Sequence, residues 1–359
     1  MSTPAPMPCE AIHNALRRGV ALPACPLALD ADRRFDERRQ RALLRYYCAA
    51  GAGGVAVGVH TTQFEIRKPG IDLFQPVLQL AIATLGEEAA RCRRPLVKVA
   101  GVCGRTPQAA REAGFAASLG YDLALVSLGA LKDATEDELI RHCETLARII
   151  PLMGFYLQPA AGGRILPYGF WRRFVEIENV VAIKIAPFNR YQTLDVLRAV
   201  AEAGVQERVA LYTGNDDNII LDLLTPYRLN TSRGWKTLRI RGGLLGQWAV
   251  WTSKAVALLN EIHAAIEDDR ADPRPFLEKS VALTDANAVV FDAAHNYAGC
   301  IPGINEVLRR QGLLRHAHCL NPAEALSPEQ PREIDRVYRD YPWLTDDAFV
   351  QEHLEEWLR

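Results

Sequence analysis

The chain contains no C-x-x-C pair: its eight cysteines, at positions 9, 25, 48, 92, 103, 143, 300 and 319, are scattered through mostly apolar stretches. That scatter gives no support to a zinc ribbon or a dithiol redox motif and reads as buried free thiols in a reducing compartment. Charge of one sign is lacking too. With 42 Lys and Arg against 43 Asp and Glu the net charge is -1, so no global field favours nucleic acid or an anionic membrane surface. No uninterrupted apolar run reaches bilayer-spanning length, since Gln247, Thr252, Ser253 and Lys254 break the stretch 244–259. The Pro-rich residues 1–8 lack the basic and apolar regions of a secretory leader. Also missing is a phosphate loop: the glycine-rich run 51–54 precedes an apolar strand instead of following one, and no Walker pattern occurs. These absences leave a cytoplasmic protein that meets a small molecule.

What is present is a composition with 49% hydrophobic and 24% charged residues, sufficient to bury a large core. Short apolar runs at 21–29, 54–59, 96–101, 122–127, 154–158, 180–186, 209–213 and 238–245 read as strands. Between them lie helical patterns such as 10–18, 35–50, 74–92, 106–119, with Thr106 as its cap, 168–176, 193–203 and 250–267. The segment 225–236 reads as a longer polar loop. Eight strand–helix units predict an α/β protein with a parallel sheet closed into a (β/α)8 TIM barrel, a doubly wound open sheet being the alternative. Helical patterns at 275–291, 303–311 and beyond Pro328 predict a C-terminal helical extension. The expected organisation is an N-terminal arm at 1–20, a barrel at 21–268 and the extension at 269–359.

In such barrels the chemistry sits at the C-terminal ends of the strands, which makes strand position a test for each candidate. Lys184 comes late in the run 180–186, just ahead of Pro187. A desolvated ammonium is costly and its pKa falls, which turns a lysine into a nucleophile. The plainer reading is a strand-end lysine whose head reaches water. Lys98 is the rival, with three strand residues still to follow. Tyr156, ahead of Pro159, offers a phenol for proton transfer or a packed aromatic with a satisfied hydroxyl. Thr61 and Thr62, after the second strand, offer hydroxyls to a carboxylate or ordinary turn chemistry. His60 lacks an H-x-x-x-H partner, and Gly214-Asn215-Asp216-Asp217 reads as a helix cap or a metal loop. No metal motif emerges and none is expected.

In order and spacing these features resemble the dihydrodipicolinate synthase and N-acetylneuraminate lyase family of class I aldolases, over residues 21 to 330. The markers are the Thr61-Thr62 loop, Tyr156 with Pro159, Lys184, the turn Thr213-Gly214-Asn215-Asp216 and a closing apolar strand. The resemblance implies a lysine imine with a 2-oxo acid, commonly pyruvate, no cofactor, and a homo-oligomer, dimer or tetramer. By position it implies Lys184 as nucleophile, Tyr156 as acid/base and Thr62 as relay, with Thr61, His60, Arg164 and Gly214 around the substrate. The chain also departs from the pattern. Ala160 and Ala161 stand where synthases carry an arginine, Arg164 being the substitute, and His60-Thr61-Thr62-Gln63-Phe64 replaces Gly-Thr-Thr-Gly-Glu. Residues 185–190 lack the acidic pattern that follows the family lysine. These departures weigh against a lysine-pathway synthase and for a sugar-acid or aromatic aldolase or hydratase-aldolase, with Phe64 and Phe188 suiting a partly apolar aldehyde. Two other readings stay open: a metal-dependent barrel enzyme using His60 and Asp216, and a catalytically silent metabolite-binding member.

Overall fold

Runs that are apolar throughout, rather than alternating, belong to strands covered on both faces, as in a parallel sheet wrapped by helices. The computed structural model, which describes residues 7–268 and 270–359, arranges them so. Residues 1–6 of the expected N-terminal arm, and residue 269 at the start of the expected extension, lie outside the described residues. The chain begins with α1 (Glu10–Arg18), β1 (Ala21–Pro23), α2 (Glu37–Ala49), β2 (Gly54–Val57), α3 (Phe74–Cys92), β3 (Val97–Val102) and α4 (Thr106–Leu119). It continues with β4 (Leu123–Val126), α5 (Glu136–Ala147), β5 (Leu152–Leu157), α6 (Tyr168–Phe174), β6 (Val180–Ala186), α7 (Arg190–Ala203), β7 (Ala210–Thr213) and α8 (Ile219–Leu224). After the hairpin β8 (Tyr227–Thr231) and β9 (Gly234–Leu238) come β10 (Gly242–Leu245) and α9 (Thr252–Glu267). The last helices are α10 (Arg274–Val290), α11 (Cys300–Arg310), α12 (Gln330–Asp340) and α13 (Asp347–Trp357).

Eight strands form one sheet in the order β1-β10-β7-β6-β5-β4-β3-β2, and a parallel bridge between Ala24 and Ala56 joins its two ends. Strands alternate with helices, giving a nearly closed (β/α)8 TIM barrel with C-terminal helices. Every residue of β4, β5 and β6 is buried. The first strand is shorter than the apolar run 21–29 suggests, as expected where Pro23 and Pro26 withhold ladder donors. The loop expected at 225–236 is instead the antiparallel pair β8–β9. Thr106 is the first residue of α4 rather than its cap, and its Oγ1 lies 2.9 Å from His142 Nδ1. No described helix is long and apolar enough to cross a membrane.

The chain divides into two compact units, one made of the chain through Val20 with 97–215 and 221–243, the other of 21–96, 216–220 and 244–359. In the first, the aromatic rings of Phe170, Trp171 and Phe174 on α6 cover the back of β5, where a Cβ on Gly154 would come within 2.6 Å of Phe174. In the second, α13 packs on α2 through Tyr46 and Trp357, 5.6 Å apart. The Tyr46 hydroxyl donates to Asp346 Oδ2 at 2.9 Å and accepts from the Thr252 N–H. Asp346 also receives Ser253 N–H and Gln311 Nε2, so one buried carboxylate fastens three helical segments. All eight cysteines are free, four of them buried, and burial pushes the Cys48 thiol up to about 12.

Candidate active site

Lys184 is in the fifth position of the seven-residue strand β6 and is 8% exposed. Parallel register sets it beside Phe155 on β5 and Tyr212 on β7, and paired residues of neighbouring strands share a face. Its Nζ lies 4.4 Å from the centroid of the Phe155 ring, whose negative face stabilises a cation. Just past the end of β7, two residues beyond Tyr212, Gly214 clears space for the lysine stem: a Cβ there would lie 2.5 Å from Lys184 Cε and 2.7 Å from Ala186 Cβ. Gly214 N–H meanwhile donates to Ile185 O at 2.7 Å, so the turn keeps the ladder. The rival Lys98 is the second residue of β3, with its Nζ 3.7 Å from Asp122 Oδ1.

Tyr156 pairs with Ile185, not with Lys184, and so occupies the other face of β5. Its ring packs on Trp171 at 5.3 Å and its hydroxyl accepts the Leu166 N–H at 3.2 Å. Burial raises the phenol pKa, partly offset by that N–H. The structure therefore does not bring Tyr156 and Lys184 to one face, and the acid/base role taken from the strand-five motif lacks its geometry. Side chains alternate along a strand, so Phe155 and Tyr156 compete for the place beside the lysine, and register gives it to Phe155. Arg164 is drawn into the loop after β4, where its Nη1 donates to Ala134 O at 3.1 Å and to Leu131 O. This guanidinium braces two loops.

Behind β7 lies a group that sequence reasoning missed. Asp222, fully buried, accepts from Thr213 Oγ1 at 2.7 Å, Asn215 Nδ2 at 2.9 Å and Tyr227 OH at 3.3 Å, and pairs with Arg190. Asn215 Oδ1 in turn receives the N–H of Phe188, which has a left-handed φ of 53°. The turns that follow β6 and β7 are thus tied to one carboxylate. A lone acid inside Ile-Ile-Leu-Asp-Leu-Leu was the available signal, because a charge in such a run needs partners.

In the second unit, Thr61 and Thr62 form a short 3-10 turn with His60. Thr61 Oγ1 donates to Ala24 O at 2.8 Å. Thr62 Oγ1 donates to Cys25 O at 2.7 Å while accepting the Gly58 and Val59 N–H groups. Both hydroxyl protons are committed to backbone carbonyls, which is turn chemistry. Gln63 takes a φ of 69° where the family pattern has glycine, and its Oε1 accepts Leu320 N–H at 2.6 Å. His60 is half-buried with its ring 6.0 Å from Phe64. Asp216 Oδ1 accepts the Gln247 N–H at the start of a 3-10 turn, a capping contact. Among the described residues no three of His, Cys, Asp and Glu are grouped to hold a metal ion.

Neither a family model nor a curated protein matches the chain. Solved structures do. Dihydrodipicolinate synthase from Aquifex aeolicus is 19% identical with a TM-score of 0.72, over 91% of this chain and 99% of that one. YagE of Escherichia coli K12, described as belonging to the dihydrodipicolinic acid synthase family and solved with pyruvate, is 18% identical with a TM-score of 0.70, over 89% and 97%. N-acetylneuraminate lyase from Fusobacterium nucleatum, also complexed with pyruvate, is 16% identical with a TM-score of 0.69, over 91% and 98%. The chain has the fold of these proteins along nearly its whole length.

Proposed function

We propose that the protein is a Schiff-base lyase that cleaves or forms a C–C bond of a 2-oxo acid such as pyruvate, with Lys184 as the amine. The observation that carries this reading is a buried lysine near the C-terminal end of the sixth barrel strand, with glycine opposite its stem. The neutral amine adds to the ketone carbon of the acid and, with one proton taken up from solvent, the carbinol oxygen leaves as water, giving an iminium. Loss of the C3 proton, or breakage of C3–C4, sends an electron pair into that nitrogen and yields an enamine. Phe155 stabilises the positive nitrogen before and after imine formation. The fold neighbours solved with pyruvate support the substrate class. No organic cofactor enters this scheme, an aldehyde is the co-substrate in the synthetic direction, and the working form is a homo-oligomer. Tyr156, Thr61, Thr62 and Arg164 act here by fixing backbone, while His60 is retained as a group for the substrate side of its loop.

Borohydride reduction in the presence of pyruvate tests the assignment. One covalent adduct mapped to Lys184, absent from Lys184→Ala, is expected; no adduct, or an adduct on Lys98, overturns it. A second reading has its own observation: β5 presents Phe155, without a hydroxyl, to the lysine. A member that forms the imine and binds the metabolite without aldol turnover would suit such a face. Exchange of the C3 protons of pyruvate into deuterated water separates the two, since turnover requires it and bare imine binding does not.

A further inference from the structure

The first unit holds a second polar concentration, at the end of β7 away from Gly214. There Ala210 and Leu211 border a cavity of about 290 Å³. Arg17, Arg18, Arg239 and Arg241 line it, against one acid, Glu207, which is paired with Arg17. The backbone builds this convergence. α1 ends at Gly19, φ 91°, where a Cβ would lie 2.0 Å from Arg241 O, so the absence of a side chain lets the last turn of α1 seat against the approach to β10. Tyr212 secures the same seat from the strand side, its hydroxyl donating to Leu16 O and accepting Val20 N–H.

The macrodipole of α1 accounts for cations in its last turn, Arg17 and Arg18. It does not account for Arg239 and Arg241, which follow the hairpin. Arg239 is held by Leu224 O at 2.9 Å, and its pKa is lowered by burial and then by the charge of Arg241. Arg239 is half-buried while Arg17, Arg18 and Arg241 are exposed at the mouth, and like charges gathered around one hollow cost energy that a bound anion offsets. Residues 226–241 carry five basic side chains and no acid, in a chain whose net charge is -1. On the hairpin Arg228 lies over Trp235, 5.0 Å from its centroid.

We propose that this cavity is a binding site for a small phosphate-bearing anion, with Arg239 and Arg241 as its principal contacts and Arg18 at its rim. Guanidinium forks match phosphate oxygens two at a time, which ammonium groups do not. The volume is at the lower end of ligand cavities and suits a phosphate or pyrophosphate group rather than a whole nucleotide. The proposal does not depend on imine chemistry at Lys184.

Calorimetric titration with inorganic phosphate and with pyrophosphate, at ionic strength held constant with chloride, tests it. One site per chain with a dissociation constant below about 1 mM is expected for pyrophosphate. The double variant R239Q/R241Q should bind at least about tenfold more weakly, with unchanged circular dichroism and unchanged borohydride trapping at Lys184. Should the double variant not fold, Arg18→Gln and Arg241→Gln taken singly must each weaken binding. Equal affinity in wild type and variants, no binding beyond that of chloride, or binding confined to a 20-nucleotide oligomer with no response to pyrophosphate would overturn the proposal.

Discussion

At the end of β6, Lys184 is buried, with an aromatic ring beside its ammonium and a glycine making room for its stem. After β2, Thr61 and Thr62 are as deeply buried, yet both hydroxyl protons go to the carbonyls of Ala24 and Cys25. Both sites carry a polar motif on a barrel strand end, and in sequence both look equally chemical. The difference lies in which needs are met within the backbone. A hydroxyl is small and can satisfy a neighbouring turn, whereas an ammonium on a four-carbon stem reaches past its own backbone. For Thr61 and Thr62 the turn has claimed both hydroxyl protons, which a strand-end position alone does not reveal.

The sharpest way to break this contrast is at the lysine. Lys184→Ala should abolish reductive trapping by pyruvate, read by intact mass, and Lys98→Ala should leave it whole. Next comes Gly214→Ala, whose Cβ would intrude on Cε of the lysine. Overpacking of this kind costs about 1–3 kcal/mol and displaces the stem, so a lower melting temperature and slower trapping should appear together. At the other strand end, Thr62→Val strips two N–H groups and one carbonyl of their partner. A stability loss of about 1–3 kcal/mol is expected by denaturant titration, with Lys184 trapping per folded molecule unchanged. Lost trapping at unchanged stability would instead make the hydroxyl a participant. Tyr156→Phe should cost about 1 kcal/mol, the worth of the bond from Leu166, and leave trapping intact.

A last test varies the pH. His142, lowered to about 4 by burial, binds its proton more readily in the unfolded chain, whose value is near 6.5. Its contribution to stability is full above pH 6.5 and is lost as the pH falls towards 4. His142→Gln should flatten that part of a melting-temperature profile, and a profile unchanged by the substitution would assign the slope elsewhere.

Much of the barrel was legible because its signals are local. The run 180–186 and the helices 10–18 and 74–92 are bounded as their patterns imply, since apolar periodicity and termini with glycine or proline are read within a few residues. The hairpin at 227–238 was hidden because its strands expose alternate polar residues and lack an apolar run. For the candidate site, the residues worth testing could be named from sequence, but not which way they face. Phe155 and Tyr156 are adjacent in sequence, and only the pairing of β5 with β6 decides which stands next to Lys184. Asp222 was similarly invisible as an anchor, because its partners come from three different segments, at 190, 213–215 and 227.

The contact between Tyr46 and Asp346 spans 300 residues of sequence. During synthesis α2 is complete long before α13 exists, and until then the rings and the hydroxyl of its inner face have no cover from that quarter. At a ribosomal pace of about 5–20 residues per second this exposure lasts about 15–60 s, a window in which a chaperone or a neighbouring nascent chain competes for the same surface. Closing so distant a contact also places this docking among the late events of folding.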